Sequence, residues 1–125
     1  MQFYHPNSTI ADMDHHLVRK LKFKAWNKEA NLIVRLNAID CLKGELYRKG
    51  HVLLQFTGLY DKDNEEIYDR DILLIYSDKY LVFWNVEKSG WYFSPLGSPT
   101  LAQPFLQANA VMMKRLGSSF ELEAS

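Results

Sequence analysis

The chain has 125 residues, of which 47% are hydrophobic and 24% are charged. This length and composition predict one globular domain with a sizeable core and argue against a disordered chain. The 15 basic and 15 acidic residues give a net charge of zero, which argues against a dedicated nucleic-acid binder, because such proteins usually carry a basic surplus. The single cysteine, Cys41, rules out an internal disulfide and fits a reducing cytoplasm. We find no secretory signal and no apolar run of the roughly 20 residues that a membrane helix needs, so no membrane association is expected.

The first residues show no sustained hydrophobic period. We therefore predict an N-terminal extension, 1–18, followed by a single domain, 19–125. The first predicted strand opens that domain, because Leu21, Phe23 and Ala25 alternate with lysines and would share one face. A turn is expected at 27–29, and the sequence NLIVRL then predicts a second strand.

The middle of the chain alternates between strand and turn signals. Residues 38–50 do not decide between a short helix and a loop. Alternation resumes in HVLLQFTGLY, and the apolar runs DILLIYS and KYLVFWNV predict two strands joined by a tight hairpin at Ser77–Asp78. A second hairpin is expected at EKSG, with Gly90 at positive φ. We predict that 55–57 and 71–77 are strands of one antiparallel sheet.

The last part of the chain begins with a loop, because three prolines interrupt 95–104. The sequence AVMMKRL then predicts a last strand, followed by a polar tail. Short strands linked by hairpins leave little room for crossover helices. The sequence therefore predicts a mainly β fold, an antiparallel sheet curled into a small barrel.

The acidic segment YDKDNEE invites a comparison with calcium-binding loops. Asp61, Asp63 and Glu65 alternate as the first ligands of an EF-hand loop do. Such a loop needs a Gly at its sixth position and a Glu at its twelfth, and these positions hold Glu66 and Ile72. Because the turn residue and the closing ligand are both missing, we interpret the segment as a connection between strands.

Local chemistry supports that interpretation. Asn64 tolerates the left-handed conformation, and Asp61 can accept hydrogen bonds from its own backbone. The chain is expected to turn at 69–70 into a buried strand opened by Asp71. A short acceptor such as Asp71 can satisfy backbone N–H groups at that corner.

The stretch QFTGLYDKDNEEIYDRDIL resembles the central motif of the YopX-like family of phage and prophage proteins, T-G-L-x-D-x-x-G-x-x-I-Y-E-G-D-I-V. The opening RKLKFKAWNKE is also similar to that family's usual start, so the resemblance covers about residues 19–122. Asn64 and Arg70 stand where the family has Gly, and MMKRLG replaces its closing V-I-G-N-I-Y. Because Arg adopts positive φ poorly, the second corner is expected to differ or to be strained. The matching positions are Thr57, Gly58, Leu59, Asp61, Ile67, Tyr68, Asp71 and Ile72.

The resemblance implies a mainly β fold, with a β-rich α+β fold as the alternative. The implied architecture is a small antiparallel, SH3-like, partly open barrel, here with an N-terminal β extension. The resemblance also implies a phage or prophage origin. It carries over no catalytic residue, because the family has no established activity.

The remaining candidates for chemistry do not form a site in sequence. His15 and His16 are adjacent and would diverge on a helix, and His5, Cys41 and His51 lack zinc-ligand spacing. Cys41 is interpreted as a small buried hydrophobe or an incidental thiol. We find no nucleophile motif and no phosphate-binding loop, so we expect a non-enzymatic protein without metal or cofactor.

A binding surface is the remaining possibility. Its candidate residues are Lys20, Lys22, Lys24, Trp84 and Trp91. Exposed aromatics and a lysine stripe on one surface would suit a nucleic-acid strand. Alternatively, the aromatics fill the core and pair across strands, and the lysines protect an exposed strand.

Two functional hypotheses follow. The leading one is a cytoplasmic protein-interaction module that forms homo-oligomers, with a phage or host protein as a further partner. The basic strand of one subunit would then meet the acidic connection of another. The alternative is a weak nucleic-acid-binding accessory protein.

Overall fold

The computed structural model of the protein describes residues 19–124, so the predicted N-terminal β extension at 1–18 lies outside the described part. Within that part the fold is mainly β, as predicted. Two short helices, α1 Gln107–Ala110 and α2 Ser119–Ala124, and a 3₁₀ turn at Pro99–Leu101 accompany the strands. The strands are β1 Phe23–Asn27, β2 Leu32–Arg35, β3 Asp40–Leu42, β4 Glu45–Tyr47, β5 His51–Tyr60, β6 Glu66–Tyr68, β7 Asp71–Ile75, β8 Asp78–Asn85, β9 Gly90–Pro95, β10 Gln103–Pro104 and β11 Lys114–Ser118.

The first sheet has four antiparallel strands in the order β2-β1-β5-β6. Its β1–β2 hairpin confirms the turn expected at 27–29. The Asn27 side chain accepts hydrogen bonds from the backbone N–H groups of Glu29 (3.1 Å) and Ala30 (3.0 Å). Asn31 closes the turn with a φ of 55°, a conformation that Asn adopts more readily than most residues.

The second sheet has five antiparallel strands in the order β10-β9-β8-β7-β11. Ile75 pairs with Asp78, so the turn between β7 and β8 lies at 76–77, and the predicted position, Ser77–Asp78, is wrong by one residue. In the next hairpin the prediction of positive φ at Gly90 is also wrong. Gly90 already pairs with Asn85, and Ser89 takes the positive φ, 51°.

The prediction that 55–57 and 71–77 share one sheet is wrong, because β5 lies in the first sheet and β7 in the second. The chain passes between the sheets at the corner 69–70. There the Asp69 N–H donates to the Gln55 carbonyl of β5 (2.8 Å), and the Arg70 N–H donates to the Val82 carbonyl of β8 (2.9 Å). The predicted strain is present, since Arg70 has a φ of 70°, which costs about 1–3 kcal/mol for a non-glycine residue. Taken together, the antiparallel strands curl into a half-barrel.

The main core cluster lies on one face of the second sheet. Its members come from the sheet, from β6 and from the segment that includes α1; they are Ile67, Leu73, Val82, Phe93, Phe105, Ala110 and Met113. Ile67, Leu73 and Val82 are completely buried. The central strands β7 and β8 and the motif strand β6 therefore pack against one another through apolar side chains.

The C-terminal region differs from its prediction. Residues 107–110 form α1, where the Asn109 side chain accepts a hydrogen bond from the Leu106 N–H (2.9 Å). The last strand therefore begins at Lys114, four residues after the start of AVMMKRL. The expected polar tail forms α2. Its Phe120 stacks on Trp26 of β1, with ring centroids 5.5 Å apart. The end of the chain thus covers part of the first sheet.

Residues 40–47, within the segment left undecided between helix and loop, form the hairpin β3–β4. Cys41 lies opposite Leu46, and Asp40 lies opposite Tyr47. The hairpin forms a two-stranded sheet of its own, and all six of its strand residues are exposed.

Candidate functional site

The acidic connection organises the fold through Asp61, which is only 3% exposed. One Asp61 oxygen accepts hydrogen bonds from the backbone N–H groups of Asp63 (2.8 Å) and Glu65 (2.9 Å). The other accepts the Arg115 N–H from β11 (2.8 Å). Asn64 has a φ of 64°. The interpretation of the segment as a turn is therefore confirmed, and the turn also covers the outer edge of β11.

Motif residues that match the family join the neighbouring strands β5 and β6 of the first sheet. The Thr57 hydroxyl donates to the Ile67 carbonyl (2.8 Å) and accepts the Leu59 N–H (3.1 Å). Between them Gly58 has a φ of 87°, where a side chain would be strained. The structure thus assigns the motif a structural role.

Asp71 carries the polar interaction of the core. It accepts the Tyr68 N–H (2.8 Å), as expected for an acceptor at this corner, and it forms an ion pair with Arg115 at 2.7 Å. Only 1% of the Asp71 side chain is exposed. Burial raises the pKa of the Asp71 carboxyl, and the Arg115 guanidinium opposes that rise. Sequence reasoning missed Arg115, although a carboxylate at the start of the apolar strand DILLI requires a buried cation.

The three lysines of the predicted stripe, Lys20, Lys22 and Lys24, make different contacts. Lys20 is exposed. The Lys22 ammonium contacts both oxygens of the Glu66 carboxylate at 2.9 Å. The Lys24 ammonium lies 4.2 Å from the centroid of the Tyr68 ring. Burial, with the nearby Arg115, lowers the pKa of Lys24. Two of the three lysines therefore contact β6 of their own chain, and only Lys24 contacts a residue that matches the family motif.

A small polar network joins the stripe to the motif. The Tyr68 hydroxyl donates to the Glu66 carboxylate at 3.1 Å. Burial favours a higher pKa for Glu66, but the hydrogen bonds from Lys22 and Tyr68 outweigh it and lower that pKa. Burial, together with the adjacent Glu66, raises the pKa of the Tyr68 hydroxyl strongly. Lys22, Glu66 and Tyr68 thus form one charge-balanced unit.

The predicted aromatic surface lies on the second sheet. Trp84 and Trp91 face each other across β8 and β9 in a T-shaped pair with centroids 5.2 Å apart. Trp84 is 40% exposed, whereas Phe93 is buried. The tryptophans contact each other and the engaged lysines contact Tyr68 and Glu66, so the structure does not unite the two halves of the predicted binding surface.

A groove, not predicted from sequence, lies where β1 and β2 diverge. Its volume is about 580 Å³. The N-terminal end of β1 forms one wall, and the segment 35–39 with Leu46 forms the other. The lining residues are Leu21, Lys22, Phe23, Lys24, Arg35, Leu36, Asn37, Ala38, Ile39, Leu46 and Tyr68. The sequence offered no signal for this groove beyond the lysines themselves.

The candidate metal and thiol residues are separate. Cys41 is exposed on the hairpin, so its interpretation as a buried hydrophobe is wrong. The Nδ1 atom of His51 lies 2.8 Å from the Lys49 carbonyl. Across 19–124 no group of three or more His, Cys, Asp or Glu residues is arranged to hold a metal ion, and His5, His15 and His16 lie outside the described residues. In the same part of the chain, no helix is long and apolar enough to cross a membrane.

Comparison with known proteins agrees with this fold. The crystal structure of protein EF1440 from Enterococcus faecalis is similar to the chain, with a TM-score of 0.55 and 19% sequence identity over 83% of this chain and 96% of that one. Among curated proteins, none matches. A family model described as YopX protein matches residues 38–117, which is more than half of the chain. The chain therefore belongs to the YopX protein family.

Proposed function

We propose that this YopX-family chain is a non-enzymatic protein of phage or prophage origin. It acts in the cytoplasm as a protein-interaction module that associates with itself. The family membership supports the origin. Three groups with shifted pKa values, Asp71, Glu66 and Tyr68, are bonded to structural partners, which supports a non-enzymatic role.

The observation that carries the proposal is the hairpin β3–β4. A two-stranded sheet is at best marginally stable in water, and three or more strands with an apolar face are needed for independent stability. This hairpin nevertheless exposes Leu42 (61%), Leu46 (43%) and Tyr47 (46%). Apolar side chains at such a site are typical of a surface that a partner covers.

A second copy fits the hairpin well. The strand pairing places Leu42 and Tyr47 on the face opposite to Cys41 and Leu46. Two hairpins related by a twofold axis would pack face to face and bury the Leu42 side of both copies. The hairpin region also mixes acidic and basic residues (Asp40 and Glu45 with Lys43, Arg48 and Lys49), which suits a self-complementary contact.

The nucleic-acid alternative has less support. A strand binder needs free cations beside exposed aromatic faces. Here the Glu66 carboxylate forms an ion pair with Lys22. On the other sheet, the Trp91 ring packs against one side of Trp84.

Sedimentation of the full chain tests the proposal. We expect the wild-type chain to sediment as a dimer at micromolar concentration and Tyr47→Asp to sediment as a monomer. Val86→Asp is the matched control, because Val86 is 80% exposed in the turn between β8 and β9, and this variant should remain dimeric. A wild-type monomer at low salt would refute self-association, and a dimeric Tyr47→Asp would refute the hairpin as its interface.

A further inference from the structure

The groove beside β1 exposes a strand edge. The pairing of β1 with β2 ends at Lys24 and Arg35, whereas on its other side the Lys22 carbonyl still accepts the Phe56 N–H (2.7 Å). Because backbone groups alternate in direction along an antiparallel strand, those of Phe23, the first residue of β1, point away from β5. They therefore face the groove, beyond the last pair that β2 forms with β1, and Leu21, which precedes β1, also lines the groove.

The groove combines apolar walls with positive charge. Within residues 19–124, its lining includes three cations and no carboxylate. The apolar residues of the lining are Leu21, Phe23, Leu36, Ala38, Ile39 and Leu46. Its volume lies within the range of about 300–1,000 Å³ that is usual for ligand sites. A ligand of this groove would therefore carry both negative charge and apolar surface.

Two of the three cations, Lys24 and Arg35, give the groove a positive electrostatic potential. Glu66 balances Lys22. The charges that act on Lys24 are the cations Arg115 and Arg35 and the carboxylates Asp71 and Glu121, and Asp71 is itself held by Arg115. Arg35 is exposed at the groove wall. An incoming carboxylate near Lys24 and Arg35 would relieve the repulsion between these cations.

We propose that the groove binds an extended, acidic segment of a partner protein. The segment adds to the edge of β1 at Leu21 and Phe23, as peptides add to open sheet edges in β-augmentation. One of its carboxylates lies toward Lys24 and Arg35. An apolar side chain next to that carboxylate packs against Phe23 and the opposite wall of the groove.

A peptide fits these features better than a nucleic-acid strand. Base stacking needs an open aromatic face, and the Tyr68 ring in this groove is buried, with Lys24 over it. Six apolar lining residues and a strand edge suit alternating side chains instead. The groove is also distinct from the Leu42–Tyr47 face of the hairpin, so this binding goes beyond self-association and does not depend on it.

Fluorescence anisotropy with a labelled synthetic peptide that alternates Glu and Val tests the proposal at low salt. The full chain should bind this peptide and should not bind its counterpart that alternates Lys and Val. Arg35→Glu should weaken binding about tenfold or more, as loss of a close interfacial charge pair does. Lys28→Glu is the matched control, since it makes the same charge reversal in the exposed β1–β2 turn, outside the groove lining, and it should change affinity by less than about twofold.

Three outcomes would overturn the proposal. The wild-type chain fails to bind the Glu–Val peptide, or Lys28→Glu weakens binding as much as Arg35→Glu does, or an oligo-dT strand binds more tightly and displaces the peptide. Arg35→Glu should leave the sedimentation of the chain unchanged. A loss of peptide binding is therefore measured separately from any failure of self-association.

Discussion

Replacing Arg115 by Met should strongly destabilise the fold, because it removes the partner of a buried carboxylate. The Asp71 side chain is 1% exposed, and Arg115 reaches it through Nε at 2.7 Å and through a terminal nitrogen at 3.4 Å. Loss of one partner of a buried ion pair costs about 3–5 kcal/mol, since the remaining charge stays out of water. The free energy of unfolding of Arg115→Met in urea should fall by about that amount.

Lys114→Met is the matched control, because Lys114 is the neighbouring residue on β11. Its ion pair with Asp63 is 3.7 Å long, and both side chains are 53% exposed. Exposed pairs contribute about 0–1 kcal/mol, so this variant should lose little stability. If Arg115→Met costs no more than Lys114→Met, the buried pair is not what stabilises this part of the fold.

The pH dependence and a double variant identify the cause of the loss. Without Arg115, burial acts on Asp71 against only the Tyr68 N–H and Lys24, so the pKa of Asp71 in the folded state lies further above that in the unfolded chain. The folded state then holds the proton more tightly, and the stability deficit should shrink as pH falls toward about 4, the ordinary value of a carboxyl. Asp71→Asn with Arg115→Met should recover much of the loss, because Asn keeps an acceptor for the Tyr68 N–H without the charge. An equal deficit at all pH values would point to lost packing of the arginine stem instead.

Four further outcomes are expected. Ile67→Asp should lower the free energy of unfolding in urea by about 4 kcal/mol or more, because it places a charge where Ile67 is completely buried. Asp63→Ala should leave the stability nearly unchanged. If calcium raises the melting temperature of the wild-type chain and Asp63→Ala abolishes that rise, the interpretation as a metal-binding loop is correct after all. Because the pKa of Glu66 is lowered in the folded state, Glu66 stabilises the fold at pH values above the ordinary pKa of a carboxyl. This stabilisation is lost as the pH falls through the pKa of Glu66 in the folded state. Lys22→Gln should therefore flatten the acid limb of the stability curve, and an unchanged limb would contradict the pairing. Deleting residues 1–18 should leave a cooperative unfolding transition, and its loss would show that the segment belongs to the folded unit.

The fold class was predictable because its signals are local. Alternation at Phe23 and Ala25 and the turn chemistry of Asn27 and Asn64 depend on neighbours in sequence, and the structure agrees there. Leu21, predicted to share their strand face, precedes β1 and is 62% exposed. The assignment of each strand to one of the two sheets could not be predicted in this way. A run of apolar residues has the same sequence pattern whether its strand continues one sheet or starts another.

The corner 69–70 decides that partition through distant groups. The Arg70 N–H donates to Val82, and the Arg70 carbonyl accepts the Ser119 N–H at 2.7 Å. These contacts hold a non-glycine residue at positive φ, against its local preference. Tertiary contacts therefore override the local rule that made Arg70 stand out in the sequence.

The candidate surface of lysines and tryptophans stays a prediction. The partner of Lys22, Glu66, lies 44 residues away in the sequence, as Arg115 does from Asp71. Such pairings depend on the tertiary fold and leave no spacing pattern in one sequence. The groove has the same origin, since it exists only because β2 leaves β1 after Arg35.

The charge distribution of the fold changes what self-association should depend on. The basic strand and the acidic connection, expected to meet between subunits, meet within one chain through Lys22 and Glu66. Of the other carboxylates in this region, Asp61 accepts three backbone hydrogen bonds and Asp71 holds Arg115, whereas Asp63 and Glu65 are exposed. Less of the opposite charge is therefore left to join two copies, and we expect the apolar residues of the hairpin to supply most of the association energy. Dimerisation should accordingly change little between low salt and physiological salt, where the Debye length falls to about 8 Å. If sedimentation instead shows that the dimer dissociates steeply over that range, the charged clusters form the interface.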